Sequence, residues 1–161
     1  MTYKEWETSH ESKLNTILVK LSGVSIANTI EYFNFSNMLV MEPDFCPLYK
    51  TNTKCHDIEN LNCFFCACPH FKSSDNEPFY MNNNVAVMSI CSINAKQASS
   101  FISENIQQCD CSSCHIPHTE RVISAYLRRI MSQREIPNNY SFLDVLRNYQ
   151  LSGILGKWHI F

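Results

Sequence analysis

Glycine is scarce: the 161-residue chain holds only three. A glycine-rich phosphate loop needs several within a few positions, so nucleotide cradles of that kind are excluded. Charge is thin as well, at 17% of residues, and neither sign dominates, with 13 Lys and Arg against 15 Asp and Glu. A chain built to coat nucleic acid carries a strong basic surplus, so nucleic acid is not an expected partner. No stretch approaches the roughly 20 apolar residues that span a bilayer, so no membrane is expected either. Met1 to Glu7 puts acids where a secretion signal has bases, and no apolar run of export length follows. The chain therefore reads as cytoplasmic and as one domain with a modest core.

Cysteine, by contrast, is abundant. All nine cysteines, with four of the six histidines, lie between Cys46 and His118. Cys63-Phe64-Phe65-Cys66-Ala67-Cys68 and Cys109-Asp110-Cys111-Ser112-Ser113-Cys114 are near mirror images, C-x-x-C-x-C and C-x-C-x-x-C. In a reducing compartment, short spacing and an odd count favour metal ligands over disulfides. Three thiolates within six residues repel one another, and a bound cation relieves that repulsion. The expected ligands are Cys46, Cys55, His56, Cys63, Cys66, Cys68, Cys91, Cys111, Cys114 and His118. They suffice for two zinc ions, each tetrahedral, with the ligands closing the fold. An iron–sulfur cluster is the alternative, because all-cysteine ligation suits it too. Adjacency makes it difficult for both Cys55 and His56 to reach one ion, which leaves one of them to support the other. His118, four residues after Cys114, has a good ligand spacing. His115 reads as exposed, and neither His70 nor Cys109 receives a role.

The rest of the chain frames this segment. Leu14, Ile17, Leu18 and Leu21 form a helical stripe, Gly23 breaks it, and Ser25 starts a second helix through Ile26, Ile30 and Phe33. Met38 to Met41 reads as a short strand or an apolar plug, and Lys72 to Asn84 as a surface loop. Val85 to Ile90 is the best strand, delivering Cys91, and Ala95 to Gln108 reads as a helix. Thr119 caps a helix to about Gln133, with Val122, Ile123, Tyr126, Leu127 and Ile130 on its buried side. Ser141 starts a last helix ending near Gly153, and the apolar tail Ile154 to Phe161 tucks back. The expected fold is α+β: a small irregular Cys/His module with few short strands, flanked by N-terminal and C-terminal helices. Residues 1–44 form the helical extension, 45–120 the metal-binding module and 121–161 the C-terminal helical segment, together one structural domain.

Cys46-Pro47-Leu48-Tyr49, Cys55-His56, Asn62-Cys63-Phe64-Phe65-Cys66-Ala67-Cys68-Pro69, Cys91 and Asp110-Cys111-Ser112-Ser113-Cys114-His115-Ile116-Pro117-His118 together resemble the cysteine-rich small domain family, which is zinc-finger-like. The resemblance covers about residues 45 to 120 and implies metal binding. Ser92-Ile93 departs from the family's Gly-Gly after its lone cysteine, and Cys109 falls outside the pattern. Some relatives carry a hint of a cobalamin-related role. The P-C-x-x-C of a zinc deaminase is absent, so the reading is a non-enzymatic binding or accessory module, with another protein as its candidate partner.

Overall fold

The computed structural model describes residues 1–93 and 99–132. Among the described residues, four helices and two small sheets of short strands make up an α+β fold. Helix α1 (Tyr3–Lys20) opens with a reciprocal cap: Thr2 Oγ1 accepts from the Glu5 amide, and the Glu5 carboxylate accepts from the Thr2 amide. Gly23, at φ +82°, takes the left-handed turn after α1 that a side chain would resist. Ser25 then caps α2 (Ile26–Tyr32) through its hydroxyl, as its position suggests.

Met38 to Met41 is neither strand nor plug. It is the second half of helix α3 (Phe35–Met41), which buries Met38 and exposes Val40 and Met41. Helix α4 (Glu120–Ser132) follows the expected stripe, with Ile123 and Leu127 fully buried against α2. Thr119 does not lend its hydroxyl to the start of α4; it donates back to the Ile116 carbonyl instead.

The core closes around Phe33, Met38, Phe64, Ile123 and Leu127. Phe33 meets Phe64 edge to face at 5.0 Å, and Phe65 meets Tyr126 likewise at 4.8 Å. Asn62 ties this core to the cysteine loop. Its side chain donates to the Ile30 carbonyl and accepts from the Phe64 amide, and its own amide donates to the His118 carbonyl. The neighbouring Cys63 amide donates to Phe33 at 2.7 Å, and Leu61 accepts from Phe35.

Strands β1 (Phe71–Ser73) and β4 (Ser89–Cys91) pair antiparallel, with Phe71 opposite Cys91. Strands β2 (Tyr80–Asn82), β3 (Val85–Val87), β6 (Ile106–Asp110) and β5 (Ser99–Ser103) form the other sheet in the order β2-β3-β6-β5, with β3 and β6 parallel. The surface loop expected from Lys72 to Asn84 thus carries the end of β1 and all of β2. The strand expected from Val85 to Ile90 is broken at Met88, so its two halves join different sheets. The helix expected from Ala95 to Gln108 is absent from Ser99 onward, where a β-hairpin stands. Its turn, Glu104-Asn105, has φ of 50° and 60°, and Asn83-Asn84 turns β2 into β3 at 47° and 66°. With so little glycine, asparagine takes most of the left-handed positions. Residues 94–98 and 133–161, with the last helix and apolar tail expected there, lie outside the described residues.

Candidate metal centre

Three ligand-bearing side chains converge on one point. The ligand atoms of Cys55, His56 and His118 all lie within 4.8 Å of one another. Adjacent Cys55 and His56 reach the same place because the backbone bends there, bringing Cys55 Sγ within 3.2 Å of His56 Nδ1. A tetrahedral zinc bound by one sulfur and one imidazole sets those two atoms ~3.5 Å apart, so the pair is close enough for one ion as well as for the hydrogen bond between them.

Both imidazoles are oriented by backbone carbonyls. His118 Nδ1 lies 3.0 Å from the Asn62 carbonyl, and His56 Nε2 lies 3.2 Å from that of Cys111. A carbonyl only accepts, so those nitrogens carry the protons and the opposite nitrogens keep their lone pairs. Metal-ligating histidines are held in this way. Burial, opposed by the Asn62 carbonyl and reinforced by His56 and His115, lowers His118 to about 4. It is therefore neutral at pH 7, as a ligand must be.

The other cysteines gather in two neighbourhoods. Cys63 is buried in the main core, and Cys46 and Cys66 pack against it. Cys66 shares a hydrogen bond with Cys63 that raises the Cys66 thiol and lowers that of Cys63. Desolvation of its sulfur, then charge at Cys63 and Cys46, pushes Cys55 up to about 11, which places it beside the same group. The second neighbourhood holds buried Cys114 with Cys91, Cys111, Ile93 and Ile116. Burial first, then charge at Cys91, Cys109, Cys114 and Cys68, pushes Cys111 up to about 11. Burial pushes the Cys68 and Cys91 thiols up, opposed in part by the amides of His70 and Phe71 facing the Cys68 sulfur and that of Ile93 facing Cys91. Such N–H donors stabilise the thiolate form that binds metal.

Between the neighbourhoods lies a cavity of about 240 Å³. Cys66, Cys68, Cys91, Cys109, Cys111 and Cys114 line it, together with His56 and His118. Helix α1 closes one side. Tyr3 packs on Phe71 at 5.0 Å, Trp6 stacks on His10, and His10 packs on Phe45 at 4.4 Å.

The expected ligands are thus divided. Cys55, His56 and His118 meet. Cys46, Cys63 and Cys66 pack in the main core, and Cys68, Cys91, Cys111 and Cys114 surround the cavity. His118 joins Cys55 and His56, and it lines the cavity together with Cys114, its neighbour in sequence. Cys109, left without a role by the sequence, reaches the cavity wall, with its amide donating to Ser89 Oγ at 2.7 Å. Its spacing of two from Cys111, which lies just beyond β6, could have found it, since both line the cavity. His70 is engaged by Ser92 Oγ at 2.8 Å. Half-buried His115 has its ring 5.8 Å from that of His56. Among the described residues no helix is long and apolar enough to cross a membrane.

Compared with protein-family models, curated proteins and solved structures, the chain matches none.

Proposed function

We propose that this chain is a zinc-binding, cysteine-rich module in which metal fastens the strand-bearing region to the helical core, and that it acts as a non-enzymatic binding module. The convergence of Cys55, His56 and His118, with each imidazole held by a backbone carbonyl, carries the reading. Imidazole among thiolates favours zinc over other metals. Cys46, Cys63, Cys66, Cys68, Cys91, Cys111 and Cys114 supply the remaining ligands, for about two ions. No Asp or Glu is among the converging ligands within the described residues. The exposed Tyr80, Met81, Phe101 and Ile102 of the larger sheet support a protein partner over a small substrate.

A second reading is an iron–sulfur protein, and the six-cysteine wall of the cavity favours it. One measurement separates the two. Protein purified without oxygen should contain about two zinc ions per chain and show no visible absorption. Iron with acid-labile sulfide and a brown colour would sink the zinc reading and establish the other.

A further inference from the structure

We propose that the buried Tyr49 hydroxyl is a donor built to steady a metal-bound Cys63 thiolate, which makes Tyr49 a positioning residue of the core-side ligands. The proposal rests on the metal-binding reading and adds to it a residue that touches no metal. Tyr49 sits on the short 3-10 helix Pro47–Thr51, and its amide donates to the Cys46 carbonyl at 3.1 Å. The turn that presents Cys46 therefore also carries Tyr49 inward. Its ring meets that of Phe35 edge to face at 5.6 Å, and the residue is 6% exposed. Cys63, at 2% exposure, belongs to the same buried cluster, and Cys46 and Cys66 pack against that cluster. Among the described residues the Tyr49 hydroxyl has no formed hydrogen bond. A buried hydroxyl without an acceptor is costly, so its place in the core calls for one.

Cys63 meets that need once it is charged. A neutral thiol sulfur is a weak acceptor, whereas a thiolate accepts strongly. The sulfurs around the hydroxyl are near enough to act on it. Burial first, then hydrogen bonding to Cys63 and charge at Cys63, Cys66 and Cys46, raise Tyr49 above the usual phenol range. The neighbouring thiols are donors of a different kind. Cys66 shares a hydrogen bond with Cys63, but a cysteine that binds metal gives up its proton. Cys46 and Cys55 lose theirs in the same way. Of Tyr49 and these four cysteines, only Tyr49 still has a proton to donate when metal is bound. Its O–H draws electron density from the Cys63 sulfur without competing for the ion, as partners of metal ligands do. That holds the sulfur in place and stabilises its thiolate form.

Tyr49→Phe, which keeps the ring and removes only the oxygen, tests the proposal against Tyr32→Phe. Tyr32 packs on the same cluster, but its hydroxyl donates to Glu42. Both variants and the unmodified protein are loaded with cobalt without oxygen, and in parallel their zinc is competed away with a chromophoric chelator. In Tyr49→Phe the sulfur-to-cobalt charge-transfer band should move to longer wavelength at unchanged cobalt content, because the sulfur has lost its donor. One zinc ion should bind roughly tenfold more weakly, and the other should stay within about twofold of the unmodified protein. Tyr32→Phe should move neither the band nor the affinities. An unmoved band and unchanged affinities in Tyr49→Phe would overturn the proposal. So would a less stable Tyr49→Phe with an unmoved band, which would make the hydroxyl a structural group only. Equal band shifts in the two variants would report a general response of the core and overturn it too. Unmodified protein that takes up neither cobalt nor zinc would overturn the metal-binding reading itself, and this proposal with it.

Discussion

Around Phe33 and Phe64, twelve buried residues from α1, α2 and the Phe33 that follows it, α3, the Phe45–Tyr49 segment, the Cys63–Phe65 stretch and α4 close on one another, whereas the second buried cluster consists of Ile93 and Cys114. Beyond it the larger sheet leaves Tyr80, Met81, Phe101 and Ile102 half exposed or more. Apolar burial contributes about 25 cal/mol per Å², so the first region has a source of stability that the second nearly lacks. What the second region has instead is sulfur. The contrast teaches that burial holds the helices, whereas the strands, on the function proposed above, depend on ligands.

The largest effect should follow from removing metal. A strong chelator should cost the strand region on the order of 10 kcal/mol. Amides of β3, β4 and β6 should lose protection from hydrogen exchange while those of α2 and α4 keep theirs. Simultaneous loss in both regions would break the comparison. Next comes Phe33→Ala, which empties a fully buried site and should cost about 3–5 kcal/mol in urea unfolding of the metal-loaded protein. Phe101→Ala, at a 50% exposed position, should change stability by less than about 0.5 kcal/mol. A comparable cost at both positions would mean that the sheet face is covered. Asn62→Ala should cost about 2–3 kcal/mol, because it leaves the Phe64 amide and the Ile30 carbonyl buried without their partner.

The same contrast explains what could be read from the sequence. Helices α1, α2 and α4 were legible because burial imposes a 3.6-residue stripe, and Ile17, Leu18, Ile30, Ile123 and Leu127 carry it. The hairpin of β5 and β6 was not. Ala98, Phe101, Ile102 and Ile106 mimic a helical stripe, but Phe101, Ile102 and Ile106 lie on a sheet that buries little, so their spacing reports no core. Its turn is Glu-Asn rather than the usual Asn-Gly, which hid the signal. Helix α3 was missed because Met38 to Met41 is too short an apolar run for its period to show. At the candidate site, local spacing suggested ligand types but not how they group. His118 reaches Cys55 and His56 through the Asn62 backbone, a link between distant segments that no short motif contains.

His10 sharpens the comparison through pH. It is 4% exposed, and burial, then Lys13, hold it down at about 4. The unfolded chain therefore binds the extra proton between about pH 6.5 and 4, while the folded chain stays neutral at His10. Stability should fall as pH drops through that window and recover as pH rises, by about 2–3 kcal/mol for this residue. Thiol ligands also gain protons in acid, so the informative quantity is the difference between the protein and His10→Phe at equal metal content. The variant should lose less stability between pH 7 and 5. Equal losses would assign the whole acid response to the ligands and none to the core.

The smallest effect should come from Thr2→Ala. The Thr2–Glu5 cap is solvent-exposed, and its loss should cost about 0.5–1 kcal/mol. Its consequence should nevertheless reach the other region, because the turn it holds carries Tyr3 onto Phe71 and Trp6 onto His10, over the cavity between the cysteines. Fraying that turn opens the cavity more often. If opening limits metal loss, zinc should transfer to a chelator roughly 2–5-fold faster in Thr2→Ala, with the urea midpoint scarcely moved. An unchanged transfer rate would show that α1 packs against the ligand region without guarding it. The aromatic ladder would then belong with the burial that holds the helices and not with the chemistry that holds the strands.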